Sequence, residues 1–417
     1  MKTSFVLPIR KRILIFLLCF TSIFSSISLP IAQDTPAIVC AKGKNDVEKN
    51  TPSIDISAKS AVLIDNQSGR ILYQKKKDVE RVPASITKIM TLLLIFDALD
   101  KGKIHLNDTV SVSENAAKMG GSQVFLEPGE TQTVDTMIKC ISVASANDAA
   151  VAMAEHISGS TEEFVKAMNK QAKKLGMKHT HFKNCNGLDD SIESGHYTSA
   201  YDVALMSREL MIKYPEIKNY STIWMDTITH STKKGDSEFG LTNTNKLIRT
   251  YDGITGLKTG STSKAKYCLS ATAKRNGVNL TAVIMAAPDH KIRFTEAAKL
   301  LDYGFSNCQC IVQKKEQIKL PVVKIHNAIK PELVVRVEKD FVYTLISGED
   351  KNKIKKKITI KKNIAAPVKE GTEIGNITYT LDGEKIEKIP IVSAENIKKT
   401  TYPDMFRQVV KRYFFHR

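Results

Sequence analysis

The alternation of apolar and polar positions divides the chain into a middle of mixed periodicity and two dissimilar ends. Residues 61–73 alternate and break at Asn66-Gln67-Ser68-Gly69, which predicts a β-hairpin. Residues 86–99 are apolar at spacings of three and four, and 148–157, 162–175 and 201–213 repeat that spacing, so each is predicted to be a helix. Residues 267–274 and 278–287 read as strands joined at Arg275-Asn276-Gly277, whose Asn-Gly step suits a tight hairpin. A helix over 293–304 closes the unit. Strands flanking a cluster of helices predict a mixed α/β domain over residues 53–312.

From about residue 315 the pattern changes. Short β-branched runs at 318–325, 333–337, 341–346, 354–360, 374–381 and 384–392 alternate with lysines and turn residues, predicting a small all-β, sandwich-like domain over 313–395. Residues 396–417 read as an amphipathic helix. Pro403 suits its first turn, Met405, Phe406, Val409, Val410, Tyr413 and Phe414 recur on one face, and Arg407, Lys411, Arg412 and Arg417 lie opposite. From Pro403 on, fifteen residues at ~1.5 Å each reach about 22 Å, too short to span a bilayer, so the helix is expected to lie in an anionic membrane surface. At the other end, Lys2, Arg10, Lys11 and Arg12 precede the apolar run 13–20, which predicts an export signal over 1–32, followed by a polar linker over 33–52. Export places the protein at the outer face of the cytoplasmic membrane.

Composition narrows the choice of partners. The 417 residues are 42% hydrophobic and 25% charged, which suits folded domains and excludes a disordered or multi-span chain. A net charge of +18 admits polyanions, but the lysines of the β region are interleaved with strand residues rather than clustered with aromatics. They read as solvated faces, and no nucleic-acid partner is expected. Export also changes the meaning of Cys40, Cys140, Cys185, Cys268, Cys308 and Cys310. They show no CxxC pair and no zinc-type histidine spacing, so buried thiols are favoured over one or two disulfides, and no metal site is expected.

The chemistry lies in Ser85-Ile-Thr-Lys88, Ser145-Ala-Asn147 and Lys258-Thr-Gly260, the last just before the strand hairpin. Three residues apart on a helix, a hydroxyl and an amine share a face, and burial can keep the amine neutral enough to act as a base. The same spacing recurs at Ser231/Lys234, Ser261/Lys264 and Ser263/Lys266, and the SxN pattern at Ser113/Asn115. Those copies lie in polar turns or strands with no amphipathic helix after them.

In order and context the three motifs resemble the serine penicillin-recognising family, and most closely its low-molecular-mass penicillin-binding proteins, the D-alanyl-D-alanine carboxypeptidases. Pro83-Ala-Ser-Ile-Thr-Lys-Ile-Met-Thr91, Ala144-Ser-Ala-Asn-Asp-Ala-Ala150, Leu175-Gly-Met177, Asn186-Gly-Leu-Asp189, His196-Tyr-Thr198, Asn243-Thr-Asn245 and Asp252-Gly253 carry the likeness over residues 53–310. Cys140, Cys185, Ser261 and Ser263 depart from it. The resemblance implies a penicillin-recognising α/β fold, a peptidoglycan pentapeptide substrate, covalent inhibition by β-lactams, and no metal or organic cofactor. It implies Ser85 as nucleophile, Lys88 as general base and Ser145 as proton relay, with Asn147, Lys258, Thr259 and Gly260 binding substrate and the Ser261 backbone joining that of Ser85 in an oxyanion hole. His196 is expected to be structural. Two other readings are a class A β-lactamase, for which no Glu-x-x-Leu-Asn pattern follows Ser145, and an inactive wall-binding scaffold, against which Ser85, Lys88 and Lys258 stand.

Overall fold

A computed structural model describes residues 54–190, 192–233 and 235–414. The expected signal and linker, and with them Cys40, lie outside the described residues.

The three motifs singled out above are organised by a five-stranded antiparallel sheet, in the order Ile71–Lys75, Ser60–Asp65, Val278–Ala287, Lys266–Arg275, Ile254–Thr262. The hairpins expected on either side of Ser68 and Asn276 are both present. Six consecutive buried residues in Ser60–Asp65 show that both faces are covered, which is why its sequence is apolar throughout. Helix Ile292–Asn307 covers one face through Phe294, Ala297, Leu300 and Leu301. Helices Lys88–Asp100, Asn147–Ser158 and Ala200–Lys213 pack on the other side, in a core that includes Ile89, Leu92, Met153 and Val203. Helix Lys88–Asp100 is buried almost all round, as its run Ile89 to Phe96, apolar but for Thr91, requires.

Helix Ile292–Asn307 runs directly into strand Cys308–Gln313, which pairs with Phe341–Ile346 of the C-terminal module. The expected boundary at 312 therefore cuts through a strand. A four-stranded sheet, in the order Val335–Val337, Glu384–Ser393, Glu373–Leu381, Ile354–Ile360, completes the module, and Phe341 stacks on Tyr379 at 3.8 Å between ring centres. The strand expected over 318–325 is reduced to Val323–Lys324, because Pro321 cannot donate to a ladder. At the junction, Arg70 pairs with Glu349 at 2.6 Å and donates to the Thr344 carbonyl, and Thr344 Oγ1 donates to Asp65 at 3.0 Å.

The described part of the chain ends in helix Tyr402–Phe414. Met405, Phe406, Val409 and Tyr413 are 54%, 70%, 58% and 84% exposed, so the apolar face is not packed on the protein. Among the described residues no helix is long and apolar enough to cross a membrane. Cys140, Cys185 and Cys268 are buried free thiols, and Cys308 and Cys310 are free and half-buried.

Candidate active site

Ser85 lies in a 3₁₀ turn, Ala84–Thr87, that feeds into helix Lys88–Asp100. In a 3₁₀ turn, side chains three apart are nearly eclipsed, and Lys88 Nζ accordingly donates to Ser85 Oγ at 3.1 Å. The amine also donates to Asn147 Oδ1 and to the Asn186 carbonyl at 2.7 Å. Lys88 is fully buried, and that burial brings its pKa down to about 7, outweighing the opposing effects of Cys185 and Asp148. Ser85 is the half-buried member of an otherwise buried turn, so its hydroxyl is the group presented to solvent.

The backbone at Ser85 is gripped from two sides. Gly187, at φ +88°, packs so closely that a Cβ there would lie 1.9 Å from the Ala84 oxygen and 2.9 Å from Ser85 N. A Cβ on Gly260 would meet Ser85 N and Ile86 N, each at 3.0 Å. Ala84 itself has φ +49°, a left-handed conformation that a non-glycine residue adopts only when its surroundings enforce it.

Ser145 ends a π turn, Cys140–Ala144, in a left-handed conformation at φ +63°. Its Oγ is buried without a hydrogen-bond partner. Asn147 opens the next helix, takes Lys88 on its oxygen and donates Nδ2 to the Gly120 carbonyl at 2.7 Å.

Lys258-Thr-Gly260 lies inside strand Ile254–Thr262, at the free edge of the sheet and just ahead of the hairpin Lys266–Arg275 with Val278–Ala287, as its sequence suggested. Lys258 is buried, with Nζ 3.3 Å from the Thr259 carbonyl, and desolvation first, then Lys88 and Arg293, holds its pKa well below the ordinary lysine value. Thr259 donates to Thr244 Oγ1 at 2.6 Å. Ser261 follows on the same edge, exposed beside the Ser85 turn.

His196 takes the Lys183 N–H on Nδ1 at 2.9 Å, which leaves Nε2 to donate to Thr87 Oγ1 at 3.0 Å. Burial lowers its pKa to about 4, so the ring is a neutral strut under the SxxK turn. Sequence reasoning quoted Asn186-Gly187 only as part of the family likeness, without a role for the Asn186 carbonyl or for Gly187, and it missed Arg293. Arg293 donates to the Gly260 carbonyl at 3.2 Å behind the edge strand, and its Nε is buried without a partner.

Residues 45–289 match the family described as D-alanyl-D-alanine carboxypeptidase, peptidase S11. The chain belongs to the D-alanyl-D-alanine carboxypeptidase family. Residues 311–399 match the C-terminal domain of penicillin-binding protein 5. The Bacillus subtilis D-alanyl-D-alanine carboxypeptidase DacF is 46% identical over 354 residues, 85% of this chain and 89% of the relative. Escherichia coli DacC is 32% identical over 84% of this chain and 86% of its own length. The structure of penicillin-binding protein 5 from Haemophilus influenzae superposes with a TM-score of 0.65 at 31% identity, covering 84% of this chain and all of that one. The chain is thus a serine-type D-Ala-D-Ala carboxypeptidase, a peptidase with a penicillin-recognising α/β domain and an all-β C-terminal domain. Its substrate class is peptidoglycan, and β-lactam binding goes with the family.

Proposed function

We propose that Ser85 and Lys88 carry out this carboxypeptidase reaction through an acyl-enzyme on the terminal D-alanyl-D-alanine of peptidoglycan pentapeptides. The 3.1 Å contact between a fully buried lysine, tuned to about pH 7, and a solvent-facing hydroxyl supports this reading above all else. Ser85 Oγ attacks the carbonyl between the two D-alanines as its proton passes to Lys88 Nζ. The Ser85 and Ser261 N–H groups hold the resulting oxyanion. Ser145, whose hydroxyl has no competing partner, relays a proton to the departing D-alanine amine. Asn147 keeps Lys88 in place, and Lys258, Thr259 and Arg293 attract the terminal carboxylate at the strand edge. Water then hydrolyses the ester.

Ser85→Ala tests the assignment. The variant is expected to lose both labelling by fluorescent penicillin and D-alanine release, with an unchanged melting temperature, and a labelled variant would refute it. Unlabelled wild-type protein would instead support the scaffold reading.

The wider setting is part of the same proposal: an export signal over 1–32, a linker over 33–52, a catalytic domain from 53, a β domain to 395 with the border moved to the start of strand Cys308–Gln313, and a surface anchor over 396–417. Its place is the outer face of the cytoplasmic membrane, where it trims the wall. The exposed apolar face of helix Tyr402–Phe414 supports the anchor. Truncation after Thr400 should release active enzyme from vesicles of anionic lipid. Equal binding of both forms would remove the anchor from the account.

A further inference from the structure

Asp148, the residue after the SxN motif, is buried and receives two alternate backbone N–H groups of the loop above it. Val124 N lies 3.1 Å and Leu126 N 3.2 Å from the same carboxylate oxygen. Gathering N–H groups i and i+2 around one anion forces the residue between them out of extended geometry, as in an anion-binding nest. That residue is Phe125. Its φ is +61°, an unusual state for a bulky side chain, and 61% of its surface is exposed. The loop is also tied to the site from the other end, because Asn147 N donates to the Ser122 carbonyl at 2.7 Å and Asn147 Nδ2 to that of Gly120. Phe125 stands edge-on to Phe239 at 5.8 Å, and Phe239 belongs to strand Gly235–Thr242, which leads directly to Thr244, the partner of Thr259.

An exposed phenyl ring in a left-handed conformation costs free energy twice, once in the backbone and once in hydration. Among the described residues the ring's aromatic contact is its edge-on approach to Phe239, and most of its surface stays open. We propose that Phe125 is a substrate-contacting ledge on the rim of the cleft, set outward by Asp148 so that its face packs on the apolar side of the bound D-alanyl-D-alanine unit or of the fused β-lactam ring that occupies the same place. This rests on the Ser85 site proposed above.

Phe125→Gly separates contact from structure, because glycine adopts the left-handed conformation without penalty and the loop keeps its grip on Asp148. With benzylpenicillin, the second-order acylation constant of Phe125→Gly is expected to fall about tenfold, the size of a small apolar contact. With diacetyl-L-Lys-D-Ala-D-Ala, KM should rise by a similar factor while kcat stays within twofold, since the ledge binds substrate and transition state alike. Phe125→Tyr should stay within twofold of wild type on both probes, and the melting temperature of Phe125→Gly should not fall. Wild-type kinetics in Phe125→Gly would overturn the ledge. So would a loss confined to kcat, which marks a contact made only in the transition state, or one accompanied by a lower melting temperature, which marks a folding effect. If wild-type protein were not acylated at Ser85, the site itself would be wrong, which is a different failure.

Discussion

The carboxypeptidase domain buries Lys88, Lys258, Asp148, Asp202, His196 and Arg208, whereas the buried polar residues described in the C-terminal module are Thr344 and Ser393. One region carries desolvated charge and the other avoids it. A buried ionisable group destabilises unless hydrogen bonds or partners compensate it, so a fold keeps many of them only where their altered chemistry is used. Around Ser85 the compensation is visible: Lys88 has three acceptors and Asp148 takes N–H groups from Val124, Leu126 and Ala149. The module instead relies on apolar clusters such as Phe341, Tyr379, Ile389 and Ile391. It holds a shape and contributes no desolvated charge.

That contrast can be broken most forcefully at Lys88. Lys88→Ala is expected to lower the acylation rate about 10⁴-fold, the scale of losing a base from a nucleophile pair. In the wild type the rate should climb as pH rises through about 7, because only the deprotonated amine accepts the Ser85 proton; a flat profile from pH 6 to 8 would exclude Lys88 as the base.

Next come paired glycine substitutions. Gly187→Ala drives a methyl into the Ala84 carbonyl and should cost at least about 3 kcal/mol together with acylation. Gly383→Ala in the module has a similar φ of +87° but open space around it, so about 1 kcal/mol of backbone strain is expected and no loss of activity. Chemical unfolding of both variants, with similar losses in each, would contradict the two-sided grip on Ser85.

A smaller effect belongs to His196. Its folded pKa of about 4 lies below the ordinary 6.5, so the unfolded chain takes up this proton first. The neutral ring therefore contributes fully above pH 6.5, and that stability drains away as pH falls towards 4, by up to about 3 kcal/mol. Urea unfolding of wild type and His196→Gln at pH 7.5 and 4.5 measures it, and equal pH dependence in the two proteins would show that the ring does not titrate this way.

The same contrast decides what could be read from the sequence. Ser85 and Lys88 were legible because a spacing of three within one turn is local, and the long helices because their burial leaves a period. Hairpin Met225–Thr232 with Gly235–Thr242 was not foreseen, since most of its positions are exposed and the inward ones of its first strand, Asp226, Ile228, His230 and Thr232, are mostly polar. Strand Ile254–Thr262 was missed for a related reason: Lys258, Thr259 and Ser261 are polar residues on a sheet edge, where propensity is weak. Gly187 and the Asn186 carbonyl act through backbone placement, which leaves no mark on side-chain pattern, and Arg293 looks like any other cation on a helix. The C-terminal strands were legible apart from the stretch broken by Pro321 and strand Cys308–Gln313, which follows a helix without a turn residue between them.

The glycines on either side of the nucleophile also bear on drug resistance. A lineage exposed to β-lactams can change rim side chains or alter how much enzyme it makes, and each such step leaves the reacting peptide where it was. Position 187 is closed to that kind of tinkering and position 260 is tight, because a methyl on Gly187 would lie 1.9 Å from the Ala84 oxygen and one on Gly260 3.0 Å from Ser85 N, the N–H proposed above to hold the oxyanion. Escape through this part of the fold would disarm the enzyme along with the drug.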